Sequence, residues 1–249
     1  MNMSTVARLV VLYGNGGLSD VGRHAVQAAL ERDDVAHVQV LTEHPELLNE
    51  PNWACGCSSA HSFSAEDKKR FTVAKVNSWN ADELSKYFKD ATAVVSCLGN
   101  RQPFVGHWVA FEGNNAVVHA MKEEKVARAV VLSSVGVEED WPPLEFHFAG
   151  KVLAFLFLTF ARSSFRDLTK MEQIYKGSDL DYLFVRPVGI GEEVVPIGSW
   201  CVQKEKYKDS VGLNMAKLDV ARFMIEEALH PTRHRTALVV GGKLEGAGW

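Results

Sequence analysis

The stretch that most constrains the fold is residues 10–24, VVLYGNGGLSDVGRH, where an apolar run leads straight into a cluster of glycines. A helical pattern follows at once, with Val26, Ala29 and Leu30 at helix spacing. Glycines let a backbone turn tightly, and the free N–H groups at the start of a helix attract phosphate. The order of strand, glycine turn and helix therefore predicts a loop that binds the pyrophosphate of a dinucleotide.

The spacing of the glycines departs from the usual fingerprint. Gly14 and Gly17 are followed by Gly22, so the second gap is two residues longer than in G-x-x-G-x-x-G. Gly14 and Gly16 fit the start of G-x-G-x-x-G, but Ser19 then stands where the third glycine is expected. A plain glycine turn is the alternative. The position of the loop, after the first strand of an α/β chain, favours the dinucleotide site.

Strand and helix patterns alternate along the chain. The predicted strands are 9–12, 38–41, 71–76, 93–98, 129–132, 182–185 and 237–240, and the predicted helices are 21–31, 80–88, 113–124, 165–176 and 218–229. Asn80 is predicted to cap the helix that it begins. Short apolar strands separated by helices imply a parallel sheet that is buried on both faces. We therefore expect an α/β fold with a doubly wound parallel sheet of the Rossmann type, as one domain over residues 1–249.

Composition excludes some classes of function. The net charge is −4 and no long basic stripe is present, so a nucleic-acid partner is not favoured. Hydrophobic residues make up 47% of the 249 residues, which is typical of a globular protein with a large core. The most apolar run, residues 152–161, is too short to span a bilayer. Four cysteines without a visible targeting segment lead us to expect a cytoplasmic protein with free thiols.

Ligands of a doubly wound sheet lie beyond the carboxyl ends of its strands. Loops rich in Gly, Ser, Asn or Pro follow the predicted strands at 14–22, 42–44, 77–78, 98–104, 133–137 and 187–192. We expect the ligand to lie among these loops. We expect the substrate pocket to be formed by segments at about 100–112, 135–165 and 187–215.

Five pieces of the chain resemble a known family. They are VVLYGNGG, AVVSCLGNRQP, EGNNAVVHAMKEEKVARAVVLSS, RDLTKMEQIYKGSDLDYLFVRPVGIGE and LDVARFMIEEAL. These pieces occur in the order found in the family and cover most of residues 9–229. On them the chain resembles the atypical short-chain dehydrogenase/reductases, in the NAD(P)H-binding, NmrA-like branch that includes the biliverdin and flavin reductases.

The resemblance implies a set of site residues at the ends of the strands. Around the pyrophosphate they are Gly14, Asn15, Gly16, Gly17 and Gly22. Near the adenine the implied residue is Asn77, and beside the nicotinamide and its ribose they are Leu98, Gly99, Asn100, Pro187 and Val188. The implied catalytic residues are Ser133, Ser134 and Lys170.

One catalytic residue of common short-chain dehydrogenases is missing. Their Tyr-x-x-x-Lys motif supplies a tyrosine as proton donor, but Arg166 stands four residues before Lys170. Hydride transfer would then depend on holding the nicotinamide against the acceptor, with a proton from solvent or a nearby group. The resemblance implies an NAD(P)H-dependent reductase of this kind. The alternative is a non-catalytic, NmrA-like redox sensor or assembly factor that acts through a protein partner.

The end of the second strand bears on the choice of cofactor. A carboxylate at Glu43 would accept hydrogen bonds from a ribose 2′-hydroxyl and repel a 2′-phosphate. Arg23 and His44 favour the opposite choice, and solvated loop charges are the alternative interpretation of Glu43 and Glu46. The family favours NADP(H) and Glu43 favours NAD(H), so the sequence favours NADP(H) only slightly.

The segment 141–160 is unusually aromatic. It could form a wall against which a flat apolar acceptor such as a flavin, quinone or bilin stacks. Core packing, self-association or a protein partner are the alternatives. His107 and His147 are additional candidates for a proton donor.

A metal site is not expected. Cys55, Cys57 and His61 would supply three ligands at a C-x-C spacing, whereas structural zinc sites need four ligands and space paired cysteines more widely. A polar loop explains this segment better.

Asp167 and Lys170 are three residues apart on a predicted helix, where an ordinary ion pair competes with a catalytic role.

Overall fold

The computed structural model of the chain describes residues 6–14, 20–49, 63–99, 109–137, 162–191, 200–204 and 215–242. Its strands are β1 (Ala7–Tyr13), β2 (Val35–Thr42), β3 (Phe71–Lys75), β4 (Ala93–Cys97), β5 (Arg128–Leu132), β6 (Asp181–Pro187), β7 (Ile190–Gly191), β8 (Trp200–Lys204), β9 (Met215–Ala216) and β10 (Thr236–Gly242). Its helices are α1 (Asp20–Leu30), α2 (Ala81–Phe88), α3 (Val109–Glu123), α4 (Arg162–Lys176) and α5 (Lys217–Leu229), with short 3-10 helices at Pro45–Asn49 and Asp67–Lys69. Every predicted strand and helix is present.

The main sheet has the strand order β3-β2-β1-β4-β5-β6-β10-β8. Its first seven strands pair in parallel, and β8 runs antiparallel to β10 at the edge. The order reverses at β1, which lies between β2 and β4. The predicted doubly wound Rossmann sheet is thus confirmed. In such sheets the ligand crevice opens beyond the carboxyl ends of the strands at the point of reversal.

The strands are apolar because helices cover both faces of the sheet. Leu9 and Val11 of β1 belong to the core that packs against α1 and α5. Val10 and Leu12 belong to the core that packs against α2, α3 and α4. All four side chains are fully buried, which explains the continuous apolar run of β1.

Two helix starts differ in how they are capped. The side-chain oxygen of Asn80 accepts a hydrogen bond from the backbone N–H of Glu83 at 2.8 Å, which confirms the predicted cap of α2. Helix α3 begins at Val109 instead of the predicted position 113. The carboxylate of Asp167, on α4, accepts hydrogen bonds there from the backbone N–H groups of Ala110 and Phe111 at 3.1 and 3.3 Å. This cap comes from another helix, so no local signal predicts it.

Strand β8 has no counterpart among the predicted strands. Its sequence, WCVQK, ends in polar residues, and it pairs with one neighbour in the sheet. A strand at an edge can stay partly solvated, so it does not need the apolar run that marks a central strand. The short β7–β9 ladder is also absent from the prediction.

Some predicted features lie outside the described residues. They are Cys55, Cys57, His61, His107 and the aromatic segment 141–160 with His147, together with much of the predicted pocket segments 100–112, 135–165 and 187–215. Within the described ranges, no helix is long and apolar enough to cross a membrane. Within the same ranges, no group of three His, Cys, Asp or Glu side chains is arranged to hold a metal ion.

Candidate functional site

The crevice at the reversal point of the sheet lies beyond the ends of β1 and β4. Gly14 follows β1 directly and is buried, and α1 begins at Asp20. The predicted loop residues Asn15, Gly16 and Gly17 lie outside the described residues. The structure therefore describes the two sides of the loop: the end of a buried strand and the first turn of a helix.

Gly22 allows α1 to approach the sheet closely. A Cβ atom at Gly22 would lie 2.3 Å from the Cβ of Tyr13 and 3.1 Å from the Cβ of Cys97. No other residue type fits between α1, β1 and β4 without moving the helix. This close helix–strand packing is the role of the third glycine in a dinucleotide-binding loop, despite the longer gap that precedes it here. Direct contact of Gly22 with a pyrophosphate stays a prediction.

Arg23 is held by groups of the protein itself. Its guanidinium donates to the backbone carbonyl of Leu47 at 3.1 Å and to the carboxylate of Asp20 at 2.5 Å. The other oxygen of Asp20 lies 3.3 Å from the Nζ of Lys217. Two cations thus offset the one carboxylate in the first turn of α1. The contact with Leu47 also fixes the turn that follows β2 against α1.

Glu43, just after β2, accepts one hydrogen bond through Oε1, and its second carboxylate oxygen, Oε2, is open to a further donor. The indole N–H of Trp79 donates to its Oε1 at 2.9 Å. Among the described residues, no donor contacts Oε2 of Glu43. The Glu43 side chain is half-buried, whereas Trp79 is only 7% exposed. A carboxylate in this state can accept a further hydrogen bond without losing the one that orients it.

The remaining polar groups near Glu43 are engaged with each other. The Nδ1 of His44 lies 3.0 Å from a carboxylate oxygen of Glu46. The Glu46 side chain is exposed, and hydrogen bonds to its carboxylate, first from backbone and then from His44, keep its pKa below the usual range. Asn77, predicted near the adenine, is exposed after β3, and its backbone N–H donates to Glu83 at 3.4 Å.

The predicted nicotinamide side of the crevice is formed by backbone at the ends of β4 and β6. Leu98 and Gly99 are buried directly after β4, and Asn100 lies outside the described residues. Pro187 is the last residue of β6 and pairs with Val240, and the N–H of Val188 donates to the carbonyl of Val240 at 3.1 Å. These residues lie at the expected edge of the sheet.

The three predicted catalytic residues are not joined to each other. Ser133 is fully buried after β5, and its hydroxyl donates to Oε1 of Glu172 at 2.6 Å. Ser134 is half-buried and donates to the carbonyl of Val135 at 3.1 Å. Lys170 is exposed, with its Nζ 5.7 Å from the centre of the Phe111 ring. Within the described part of the chain, Lys170 makes no hydrogen bond to either serine.

Sequence reasoning missed a buried ion pair next to Ser133. The guanidinium of Arg186, on β6, binds both carboxylate oxygens of Glu172, with Nε–Oε1 at 3.0 Å and Nη2–Oε2 at 2.6 Å. Glu172 is 0% exposed and Arg186 is 2% exposed. An ionised carboxylate only accepts, so the proton of the Ser133 hydroxyl is committed to Glu172. Ser133 can accept a further hydrogen bond but has no second proton to donate.

An ordinary ion pair between Asp167 and Lys170, one of the two interpretations of these residues, is not formed in the structure. Asp167 instead caps α3, as described above, and burial raises the pKa of its carboxyl group. The backbone N–H groups at the start of a helix attract a carboxylate, and the partial burial of Asp167 makes this contact stronger than an exposed i,i+3 pair.

His24 is a buried titratable group in α1, one turn after the glycine loop. Burial, and secondarily the charge of Lys217, lowers the pKa of its imidazole to about 4. The side chain has no solvent exposure, so it is neutral at neutral pH. A neutral imidazole here adds no positive charge to the crevice.

Comparisons with known proteins support a dinucleotide-binding fold. A family model described as NAD(P)H-binding matches residues 16–231. No curated protein sequence matches the chain. Among solved structures, a wide-type short-chain dehydrogenase/reductase from Veillonella parvula DSM 2008, in complex with NADP, is similar with a TM-score of 0.66. It is 16% identical, and the match covers 98% of this chain and 97% of that one.

Two further structures have the same fold. A Rossmann-fold NAD(P)-binding family protein from Shigella flexneri is 14% identical, with a TM-score of 0.63 over 95% of this chain and 94% of that chain. An oxidoreductase from Lactococcus lactis is 14% identical, with a TM-score of 0.61 over 95% and 91% of the two chains. The family match, which spans most of the chain, confirms the resemblance to atypical short-chain dehydrogenase/reductases, and the chain belongs to the NAD(P)H-binding family.

Proposed function

We propose that the chain is an NAD(P)H-dependent oxidoreductase that passes hydride to a flat conjugated acceptor, such as a flavin, a quinone or a bilin. The observation that carries the proposal is the packing of Gly22, which brings the start of α1 against β1 at the reversal point of the sheet. In folds with this arrangement, the free N–H groups at the start of the helix face the crevice where dinucleotides bind, which supports the proposal.

The described residues fit such a cofactor. The carboxylate of Asp20 would oppose a phosphate, but Arg23 and Lys217 compensate its charge. The open Oε2 of Glu43 offers an acceptor to a ribose hydroxyl at the end of β2. Gly14, Leu98, Gly99, Pro187 and Val188 would line the same edge. When bound, NAD(P)H supplies the hydride.

The hydrogen bond from Ser133 to Glu172 favours a hydride acceptor whose reduction needs no buried proton donor. Its hydroxyl proton is committed to Glu172, and Lys170 is exposed to solvent. The role left to Ser133 is to accept a hydrogen bond and so orient a bound group. A flavin or quinone takes its proton readily from water once hydride has been transferred, whereas ketone reduction needs a positioned acid.

The same observation favours a second candidate function. Ser133 and Lys170 do not form a joint proton-donating group in the described residues. A non-catalytic redox sensor or assembly factor would bind the dinucleotide and act through a protein partner without needing such a group. The two functions share the binding site and differ in turnover.

An acceptor screen separates the two functions. The protein is mixed with NADH or NADPH and a panel of flavins, quinones and bilins, and the loss of nicotinamide absorbance is followed. We expect oxidation with at least one acceptor. Tight binding without oxidation by any acceptor would contradict the reductase and favour the sensor.

Substitution of the glycine loop tests the binding site itself. Gly17→Asp should abolish dinucleotide binding, because a carboxylate would face the pyrophosphate. Gly177→Ala is the matched control, since a Cβ there meets its nearest atom, the carbonyl of Gln173, at 3.4 Å. Calorimetric titration of both variants checks this. Unchanged affinity in Gly17→Asp would refute the loop assignment.

A further inference from the structure

We propose that Trp79 determines which dinucleotide the protein prefers, by holding Glu43 so that it selects NAD(H) over NADP(H). This inference rests on the proposed dinucleotide site and adds a specificity-determining contact to it. Trp79 lies between β3 and α2, and its indole N–H donates to Glu43, 36 residues earlier in the chain. Trp79 is a positioning residue here, because it acts through Glu43.

The backbone around Trp79 is fixed on both sides. Before it, the N–H of Val76 donates to the carbonyl of Thr42 at 2.9 Å, which ties the ends of β3 and β2 together. After it, Asn80 caps α2. The hydroxyl of Ser78 donates to Glu83 at 3.0 Å within the same turn. The indole is therefore presented from a rigid connection rather than from a free loop.

The ring of Trp79 packs against α3. A Cβ atom at Gly113 would be in ordinary contact with Cδ2 of Trp79 at 3.5 Å and would lie 2.7 Å from Cδ1 of Leu98, so this glycine lets α3 come close to both side chains. The indole N–H is the single polar group of tryptophan, and when buried it needs an acceptor. With the ring held in place, Glu43 is that acceptor.

The bond to Trp79 orients the carboxylate of Glu43, which has no cation partner in the described residues. Arg23 is engaged by Asp20 and Leu47, and His44 is engaged by Glu46. Oε2 of Glu43 can accept from the 2′-hydroxyl of NAD(H). The carboxylate charge would repel the 2′-phosphate of NADP(H), so the site discriminates by attraction and by repulsion.

A preference for NAD(H) is the opposite of the slight preference for NADP(H) that the family resemblance implies. That preference rests on the family, and Arg23 is one of two residues of this chain that favour a 2′-phosphate. The structure commits the Arg23 guanidinium to Asp20 and to a backbone carbonyl. The neighbour that holds NADP is only 16% identical, so its cofactor does not fix the choice here.

Trp79→Phe removes the N–H and keeps an aromatic ring. Dissociation constants of NADH and NADPH are measured by calorimetry for the wild type and the variant. We expect the wild type to bind NADH more tightly. In Trp79→Phe we expect NADH affinity to fall by about tenfold and NADPH affinity to stay the same or rise, because the freed carboxylate loses its orientation.

Two controls separate the hydrogen bond from packing. Phe88→Leu removes a fully buried ring from the same core but leaves Glu43 untouched, so the NADH/NADPH ratio should not change. In a Glu43→Gln background, Trp79→Phe should shift the ratio much less than in the wild type. Glu43→Gln alone should raise the relative affinity for NADPH, which keeps the test valid if Trp79→Phe fails to fold.

The binding results that would contradict the role of Trp79 differ from those that would contradict the proposed function. An equal loss of affinity for both dinucleotides in Trp79→Phe would give Trp79 a structural role only. A wild type that prefers NADPH, or an unchanged ratio in Glu43→Gln, would show that Glu43 does not select the ribose. Wild-type protein that binds neither dinucleotide would refute the proposed function itself.

Discussion

Two glutamates at the carboxyl edge of the sheet, Glu43 and Glu172, have opposite environments. Glu172 is fully buried, bound by the Arg186 fork and by Ser133. Glu43 is half-buried, bound by one indole N–H, and has an open oxygen among the described residues. A carboxylate whose acceptor sites are filled by the protein fixes the fold, and one with an open site can bind a ligand. The difference indicates a structural role for Glu172 and supports the recognition role that we propose for Glu43.

The largest effect is expected for Glu172→Ala, which tests whether Glu172 is a structural residue. The variant would leave the Arg186 guanidinium buried without its counterion, and we expect a loss of about 3–5 kcal/mol in the free energy of unfolding. Urea denaturation measures the loss. The double variant Glu172→Met/Arg186→Met should recover most of it, because both charges are then removed. A loss below ~1 kcal/mol in Glu172→Ala would mean that the pair is hydrated rather than buried.

His24 is a third group whose environment determines its role, because burial keeps its imidazole neutral at neutral pH. Its pKa is about 4 in the folded protein, below the ordinary value of 6.5, so the unfolded chain binds more protons between these values. Stability contributed by neutral His24 is therefore complete above about pH 6.5 and is lost as the pH falls towards 4, by about 3 kcal/mol in total. We expect His24→Gln to lose less stability than the wild type over this range. Parallel pH dependences of unfolding in the two proteins would contradict the burial of the imidazole.

The smallest effect on stability is expected at the open glutamate. Glu43→Gln keeps an oxygen that can accept from Trp79, so we expect the free energy of unfolding to change by less than ~1 kcal/mol. Thermal denaturation without cofactor measures this change. A loss as large as that of Glu172→Ala would remove the distinction between the two glutamates and make Glu43 a structural residue.

Local patterns predict the framework, whereas contacts between distant residues determine the site. The run of β1 and the Asn80 cap of α2 are visible in the sequence, because each depends on neighbouring residues. The start of α3 depends on Asp167, 57 residues away from Ala110, and no local signal marks it. Edge strand β8 lacks the apolar run of a central strand and is missed for that reason.

The candidate site shows the same division. The sequence predicts a carboxylate at the end of β2, but the donor that orients it comes from Trp79 after β3. The sequence also places Ser133 after β5 and Glu172 on a helix, but their hydrogen bond requires the fold. Arg23 looks available for a phosphate until Asp20 and Leu47 are seen to bind it. Residue types at strand ends are predictable, and their partners are not.

The most direct test of the central claim is calorimetric titration of the wild-type protein with NADH and NADPH under identical conditions. The central claim is that a dinucleotide binds in the crevice at the end of β1. Its adenosine ribose would then donate a hydrogen bond from the 2′-hydroxyl to Glu43. We predict that both cofactors bind and that NADH binds more tightly. Tighter binding of NADPH would contradict the role of Glu43, and binding of neither would contradict the site.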